Sequence, residues 1–213
     1  MGALCRFLFF FGLVKPLTLL VLGLNVRRQQ LLPQAGPAIL VANHNSHLDT
    51  VVLLSLFPYS LAMKVRPVAA ADYFFKNRYL AWFVVNVLRI IPVDRTLRTG
   101  AAEMTRGVSA ALEAGDIVLV FPEGTRGEPE SLSQFRAGIS HIAMSNPKAP
   151  VIPVFVHGAG KALPRGEAIL VPFFCDVFVG EPLFWGGDKT EFMAALQNRF
   201  QALAAEGDFA TWK

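Results

Sequence analysis

Residues 43–49, NHNSHLD, set an imidazole ahead of a carboxylate directly after the apolar run Ala38-Ile39-Leu40-Val41-Ala42. Residues five apart on a helix differ by about 140° around the axis, so His44 and Asp49 cannot meet if both are helical. With Ser46 as helix cap, Asp49 falls in the first turn and His44 just before it, where the carboxylate can accept from one ring nitrogen. The other nitrogen then faces outward as a base, a task suited to a side chain whose unperturbed pKa is about 6.5. A blander reading uses the same residues. Ser46-x-x-Asp49 is also a capping box and Asn43 and Asn45 are turn residues, which explains everything except His44.

A metal site is the third reading, with His44, His47 and Asp49 as ligands in a membrane-bound metallohydrolase. The spacing is one residue longer than the HxHxDH pattern of metallo-β-lactamase-like hydrolases, and Thr50 stands where the last His belongs. The remaining histidines, His141 and His157, have no partner motif, and His47 is expected to pack at the helix start. A second polar cluster, Pro122-Glu123-Gly124-Thr125-Arg126, follows the apolar residues 117–121. It reads either as a solvated loop or as an anion clamp, in which the Arg126 fork grips phosphate oxygens and Gly124 lets a ligand approach the backbone. Arg95 or Arg136 could supplement Arg126. No GxxxxGK[ST] or GxGxxG is present, which removes the usual nucleotide-binding motifs. Ser109 lies in a helical pattern without the second glycine of a nucleophile elbow, and neither cysteine has a base motif beside it.

Both clusters require strands that end where turns begin. Residues 38–42 read as a buried parallel strand and 48–57 as a helix stopped by Pro58. The alternation continues with strands at 66–70, 90–93, 117–121 and 151–156, and one or two strands within 168–179. Helices are expected at 73–88, 99–114 and 134–145, and a last one is capped by Asp188 with Glu191. The expected fold is α/β, a mostly parallel central sheet covered by helices, whose ligands gather beyond the strands' carboxyl ends.

Hydrophobic residues make up 53% of the 213, more than a soluble enzyme needs, and the formal charge of +4 suits an anionic membrane surface or phosphorylated ligands. Nucleic acid is set aside, because no basic stripe interleaves with aromatics. Two cysteines form no disulfide framework or metal cluster and point to a reducing compartment. Residues 7–26 are apolar except for Lys15, Thr18 and Asn25, a membrane-associated segment rather than a cleaved signal peptide. Lys15-Pro16 is expected to divide it into two short helices dipping into one leaflet, in preference to a single span. Two units follow: a membrane-associated helical segment, 1–30, and a catalytic domain, 31–213.

NHxxxxD, then an apolar strand, then FPEGTR, resembles the glycerolipid acyltransferases, most of all the 1-acylglycerol-3-phosphate acyltransferases. Ile91-Pro92-Val93-Asp94-Arg95 is similar to the family's second block, Gln134 to Gly138 to the element after the third, and Val151 to Val154 to the fourth. Gly127 departs from the pattern, standing where Ser is usual. The resemblance implies a membrane-associated O-acyltransferase that moves a fatty acyl group from acyl-CoA or acyl carrier protein to a lysophospholipid, lysophosphatidate above all. Another lysolipid or a lyso-aminolipid is the alternative acceptor. It implies His44 as base, Asp49 as its orienting partner, and Glu123, Gly124, Thr125 and Arg126, with Arg95, as the acceptor site. Neither metal nor cofactor is implied beyond the thioester co-substrate. Amides at the helix start after Asn45 are the candidate oxyanion donors. The implied location is the cytoplasmic face of a membrane, the inner membrane in a bacterium.

Overall fold

The computed structural model describes residues 2–46, 48–71, 75, 77–93, 100–125, 127, 132–162 and 171–207. Seven strands form one sheet: β1 Leu22–Arg27, β2 Ala38–Ala42, β3 Val65–Ala70, β4 Ile91–Val93, β5 Ile117–Val120, β6 Val151–His157 and β7 Phe173–Val179. Their spatial order is β1-β7-β6-β2-β5-β3-β4. The strands from β6 to β4 run parallel, β7 runs against β6, and β1 lies parallel to β7 at the edge. All residues of β2, β5 and β6 are buried, which is why they read as unbroken apolar runs: helices cover both faces.

Six helices of two turns or more are described: α1 Gly2–Val21, α2 Leu48–Ser55, α3 Arg78–Asn86, α4 Gly100–Glu113, α5 Gly138–Ser145 and α6 Lys189–Ala205. Side chains alternate across β2 and so divide the core. Ala38, Leu40 and Ala42 meet Phe10 and Val14 of α1 and Val52 and Leu53 of α2. Ile39 and Val41 face the other layer, with Val108 and Leu112 of α4, Ile139 and Ile142 of α5, and Leu196 and Phe200 of α6. The mostly parallel sheet between helices is the α/β fold expected. Asp188 caps α6 as expected, accepting from the Glu191 amide at 2.8 Å.

The amino-terminal segment differs from expectation. Instead of two helices broken at Lys15-Pro16, α1 is one helix that runs through Pro16. The missing proline N–H is absorbed by wide π turns at Phe10–Val14 and Leu17–Val21, and Thr18 Oγ1 bonds the Val14 carbonyl at 2.8 Å. Lys15 is no stray charge in an apolar run. Its amine reaches the Ser55 carbonyl at 3.3 Å, at the negative end of α2.

The helix also stops before residue 26, because Leu22–Arg27 joins the sheet as β1. Leu22, Leu24 and Val26 point inward while Gly23, Asn25 and Arg27 are exposed, so a stretch within 1–30 expected to be helical alternates as a strand. Two other boundaries move. α5 begins at Gly138 rather than 134, and Phe121 lies just past β5. Of the helix expected at 73–88, residues 73, 74 and 76 lie outside the described residues, as do 168–170 of the expected strand.

Candidate active site

β2 and β5 are neighbours in parallel register, with Val41 opposite Val120, so the turns after them open side by side at one edge of the sheet. Asn43 anchors the first turn. Its amide donates to the Val156 carbonyl at 2.8 Å and accepts from the Val156 N–H at 2.7 Å, tying the end of β2 to β6. The side chain expected only to populate a turn is therefore a buried double bridge between strands.

His44 comes next, outside the helix, and Asp49 sits in the first turn of α2, so the helical geometry that keeps them apart is avoided as expected. His44 Nδ1 lies 2.9 Å from Asp49 Oδ2. The same oxygen accepts the backbone N–H of Asn45 at 2.7 Å and of Ser46 at 2.8 Å. Ser46 Oγ accepts the Leu48 N–H at 3.2 Å, so Ser46 does cap the helix. Of the amides after Asn45 expected to serve an oxyanion, that of Ser46 is bonded to Asp49 and that of Leu48 to Ser46 Oγ, while His47 lies outside the described residues. A buried carboxylate with three donors is a fixed acceptor, and it holds the proton on Nδ1 and the lone pair on Nε2.

The second turn grips His44 from the other side. Glu123 Oε1 accepts the His44 N–H at 3.1 Å, and the Gly127 N–H donates to the His44 carbonyl at 2.9 Å. The peptide of His44 is thus clamped at both ends by residues of the turn after β5. The Phe121 ring stacks on the imidazole with centroids 4.1 Å apart and planes 21° from parallel. The Glu123 carboxyl is buried, and burial pushes its pKa up. The His44 N–H, the Ser133 hydroxyl and positive charge on His44 oppose that rise, while Asp49 adds to it. Glu123 Oε2 has no partner in full hydrogen-bond geometry among the described residues, and the Ser133 hydroxyl is the group near enough to lower the carboxyl's pKa.

Gly124 has φ +73°, a conformation that favours glycine, and the Arg136 guanidinium lies across it, where a Cβ would come within 2.7 Å of Nε. Arg136 Nε donates to the Glu123 carbonyl at 3.0 Å. Thr125 is exposed at the rim. Arg126, Arg95 and His47 lie outside the described residues. The structure therefore brings together His44, Asp49, Glu123 and Gly124 of the expected set. His141 is exposed on α5, and His157 is buried at the end of β6 with its Nε2 3.4 Å from Lys161 Nζ. Among the described residues no three His, Cys, Asp or Glu side chains are grouped to hold a metal. Sequence reasoning missed Phe121 and the structural use of Glu123. Adjacent strands ending in parallel register are the signal that points to Phe121.

A chain with this site matches the Acyltransferase family model over residues 23–157, from β1 through β6. It is 28% identical over 163 residues to a chloroplastic 1-acyl-sn-glycerol-3-phosphate acyltransferase of Brassica napus, covering 74% of this chain and 43% of that protein. It is 27% identical over 194 residues to the 1-acyl-sn-glycerol-3-phosphate acyltransferase of Pseudomonas aeruginosa, covering 89% of this chain and 71% of that one. The chain thus spans less than half the length of the plastid relative. Its fold is similar to the crystal structure of the 1-acyl-sn-glycerophosphate acyltransferase PlsC from Thermotoga maritima, with TM-score 0.75 and 20% identity over 99% of this chain and 84% of that one. The family match spans well over half of the sequence, and on it the chain belongs to the acyltransferase family.

Proposed function

We propose that this protein transfers a fatty acyl group from a thioester, acyl-CoA or acyl carrier protein, to the free hydroxyl of lysophosphatidate, giving phosphatidate. The observation that carries the reading is the His44 imidazole, fixed by Asp49 at 2.9 Å and stacked on Phe121 beside the turn that holds Glu123 and Gly124. His44 Nε2 removes the acceptor's hydroxyl proton as the oxygen attacks the thioester carbon. The tetrahedral intermediate collapses with cleavage of the C–S bond, and the imidazolium returns its proton to the leaving thiolate. Asp49 stabilises that imidazolium. Glu123, Gly124, Thr125 and Arg126, aided by Arg95, form the acceptor side, where the arginine fork answers the phosphate. The chemistry calls for no cofactor beyond the thioester.

We place the site at the cytoplasmic face of a membrane. α1 is long and apolar enough to cross a bilayer, and Leu4, Leu8, Leu19 and Leu20 on it are exposed. Purified protein offered acyl-CoA or acyl carrier protein with a panel of lysophosphatidate, other lysophospholipids and lyso-aminolipids should prefer the phosphate monoester. His44→Ala should abolish transfer to all of them. A His44→Ala protein with wild-type turnover would remove the reading, and preference for another acceptor would reassign the substrate alone.

A further inference from the structure

Residue 127 lacks a side chain, and the space it leaves is taken. A Cβ on Gly127 would lie 2.7 Å from Ser133 Oγ, 3.0 Å from Glu123 Oε2 and 3.8 Å from Asn45 Oδ1. The first distance is too short for a carbon and an oxygen that are not bonded, so a side chain at 127 and the Ser133 hydroxyl in its present place exclude one another. Ser133 reaches this point from the loop ahead of α5. The other polar group at the same point, Glu123 Oε2, is buried and has no partner in full hydrogen-bond geometry among the described residues. A hydroxyl is the smallest group that rotates to donate to such an oxygen, and Ser133 has the one beside it.

We propose that Ser133 is a positioning residue of the acyl-transfer site, its Oγ supplying to the Glu123 carboxyl the hydroxyl that residue 127 lacks. The inference rests on the acyltransferase reading of the same site. Its consequence is mechanical. Glu123 Oε1 holds the His44 N–H and Gly127 holds the His44 carbonyl, and Ser133 meets the Glu123 end of this clamp while filling the space that a side chain at 127 would need. A donor on Oε2 offsets part of the rise that burial imposes on the carboxyl and holds it in place, so that Oε1 stays on the His44 N–H. Ser133 touches no substrate in this account and acts through Glu123.

The experiment compares Ser133→Ala, Gly127→Ser, the double variant Gly127→Ser with Ser133→Ala, and His44→Ala. For each, kcat, KM for lysophosphatidate and the thermal midpoint are measured. Ser133→Ala should lower kcat about tenfold with KM within about twofold, and lower the midpoint by only a few degrees. Gly127→Ser should also lose activity, because its new Cβ displaces Ser133. The double variant returns a hydroxyl from position 127 and should recover to within about threefold of wild type, which a purely structural role does not predict. Wild-type kcat in Ser133→Ala, or a double variant no better than the less active single one, would overturn the assignment. An inactive His44→Ala beside a silent Ser133→Ala removes Ser133 alone, whereas an active His44→Ala removes the acyltransferase reading and this inference with it.

Discussion

Asp49 and Glu123 hold His44 by different handles, and two substitutions separate them. Asp49 Oδ2 meets the ring nitrogen at 2.9 Å and two backbone amides at 2.7 and 2.8 Å, fixing orientation and offering charge to an imidazolium. Asp49→Asn retains an acceptor for the amides but not the charge. Its kcat should fall roughly 10²–10⁴-fold with KM for both substrates near wild type, as for loss of an interaction made in the transition state. A proportionate rise in KM instead would mean that Asp49 helps to seat substrate. Glu123 acts on the peptide of His44 and carries a pH signature. Burial raises its pKa above the usual 4.5, so the folded chain binds this proton more tightly than the unfolded chain. The resulting stabilisation is present at acid pH and is lost as pH climbs from 4.5 through the raised folded value. Glu123→Gln keeps an acceptor for the His44 N–H and abolishes the titration. Urea denaturation across that window should therefore show the variant gaining stability relative to wild type as pH rises. A constant difference would contradict the buried titration.

At the scale of elements, the strand–turn units were legible and their connections were not. β2 and β5 are short, wholly buried runs bounded by polar turns, so composition alone marks them. His44 to Asp49 was legible because both ends lie within one turn of a helix start. Asn43 and Glu123 were not, since their partners lie 113 and 79 residues away and no local pattern records them. β1 is a different failure: Leu22, Leu24 and Val26 alternate with Gly23, Asn25 and Arg27, a strand signal masked by the apolar helix that precedes it. Pro16 misled because its lost N–H is accommodated by wide turns and Thr18 rather than by a break. Asn43→Ala leaves the N–H and carbonyl of Val156 without their side-chain partner in a buried position, each worth about 1–3 kcal/mol. Denaturation should show a loss of roughly 2–5 kcal/mol and reduced turnover, because the end of β2 carries His44. A loss within experimental error would mean that other groups satisfy Val156.

Among the described residues, most of the exposed large apolar side chains lie on α1 and α3. β7 runs against β6, and β1 runs with β7, so Leu22 at the start of β1 lies at the same edge as the carboxyl ends of β2 and β5. α1 therefore enters the sheet at the end where the turn of His44 lies, with β7 and β6 between them. Further along it meets α3 through the edge-on pair Phe9 and Phe83, 5.3 Å between centroids. Tyr79, Leu80, Trp82 and Val85 of α3 are also exposed, as are Leu19 (76%) and Leu20 (83%) of α1. Leucines this open stabilise nothing in the domain, but in a bilayer each removes apolar surface from water for about 1.5–3 kcal/mol. Leu8→Glu combined with Leu19→Glu should weaken partitioning onto vesicles containing anionic lipid by at least about a hundredfold. Turnover of a short-chain lysolipid in detergent should stay near wild type, since neither side chain reaches the core. In a variant that retains Trp82 as its one tryptophan, fluorescence should be quenched by brominated lipid if α3 meets the bilayer together with α1. Undiminished partitioning of the double variant would show that α1 does not hold the protein to the bilayer, and the acceptor lipid would then have to reach His44 from solution.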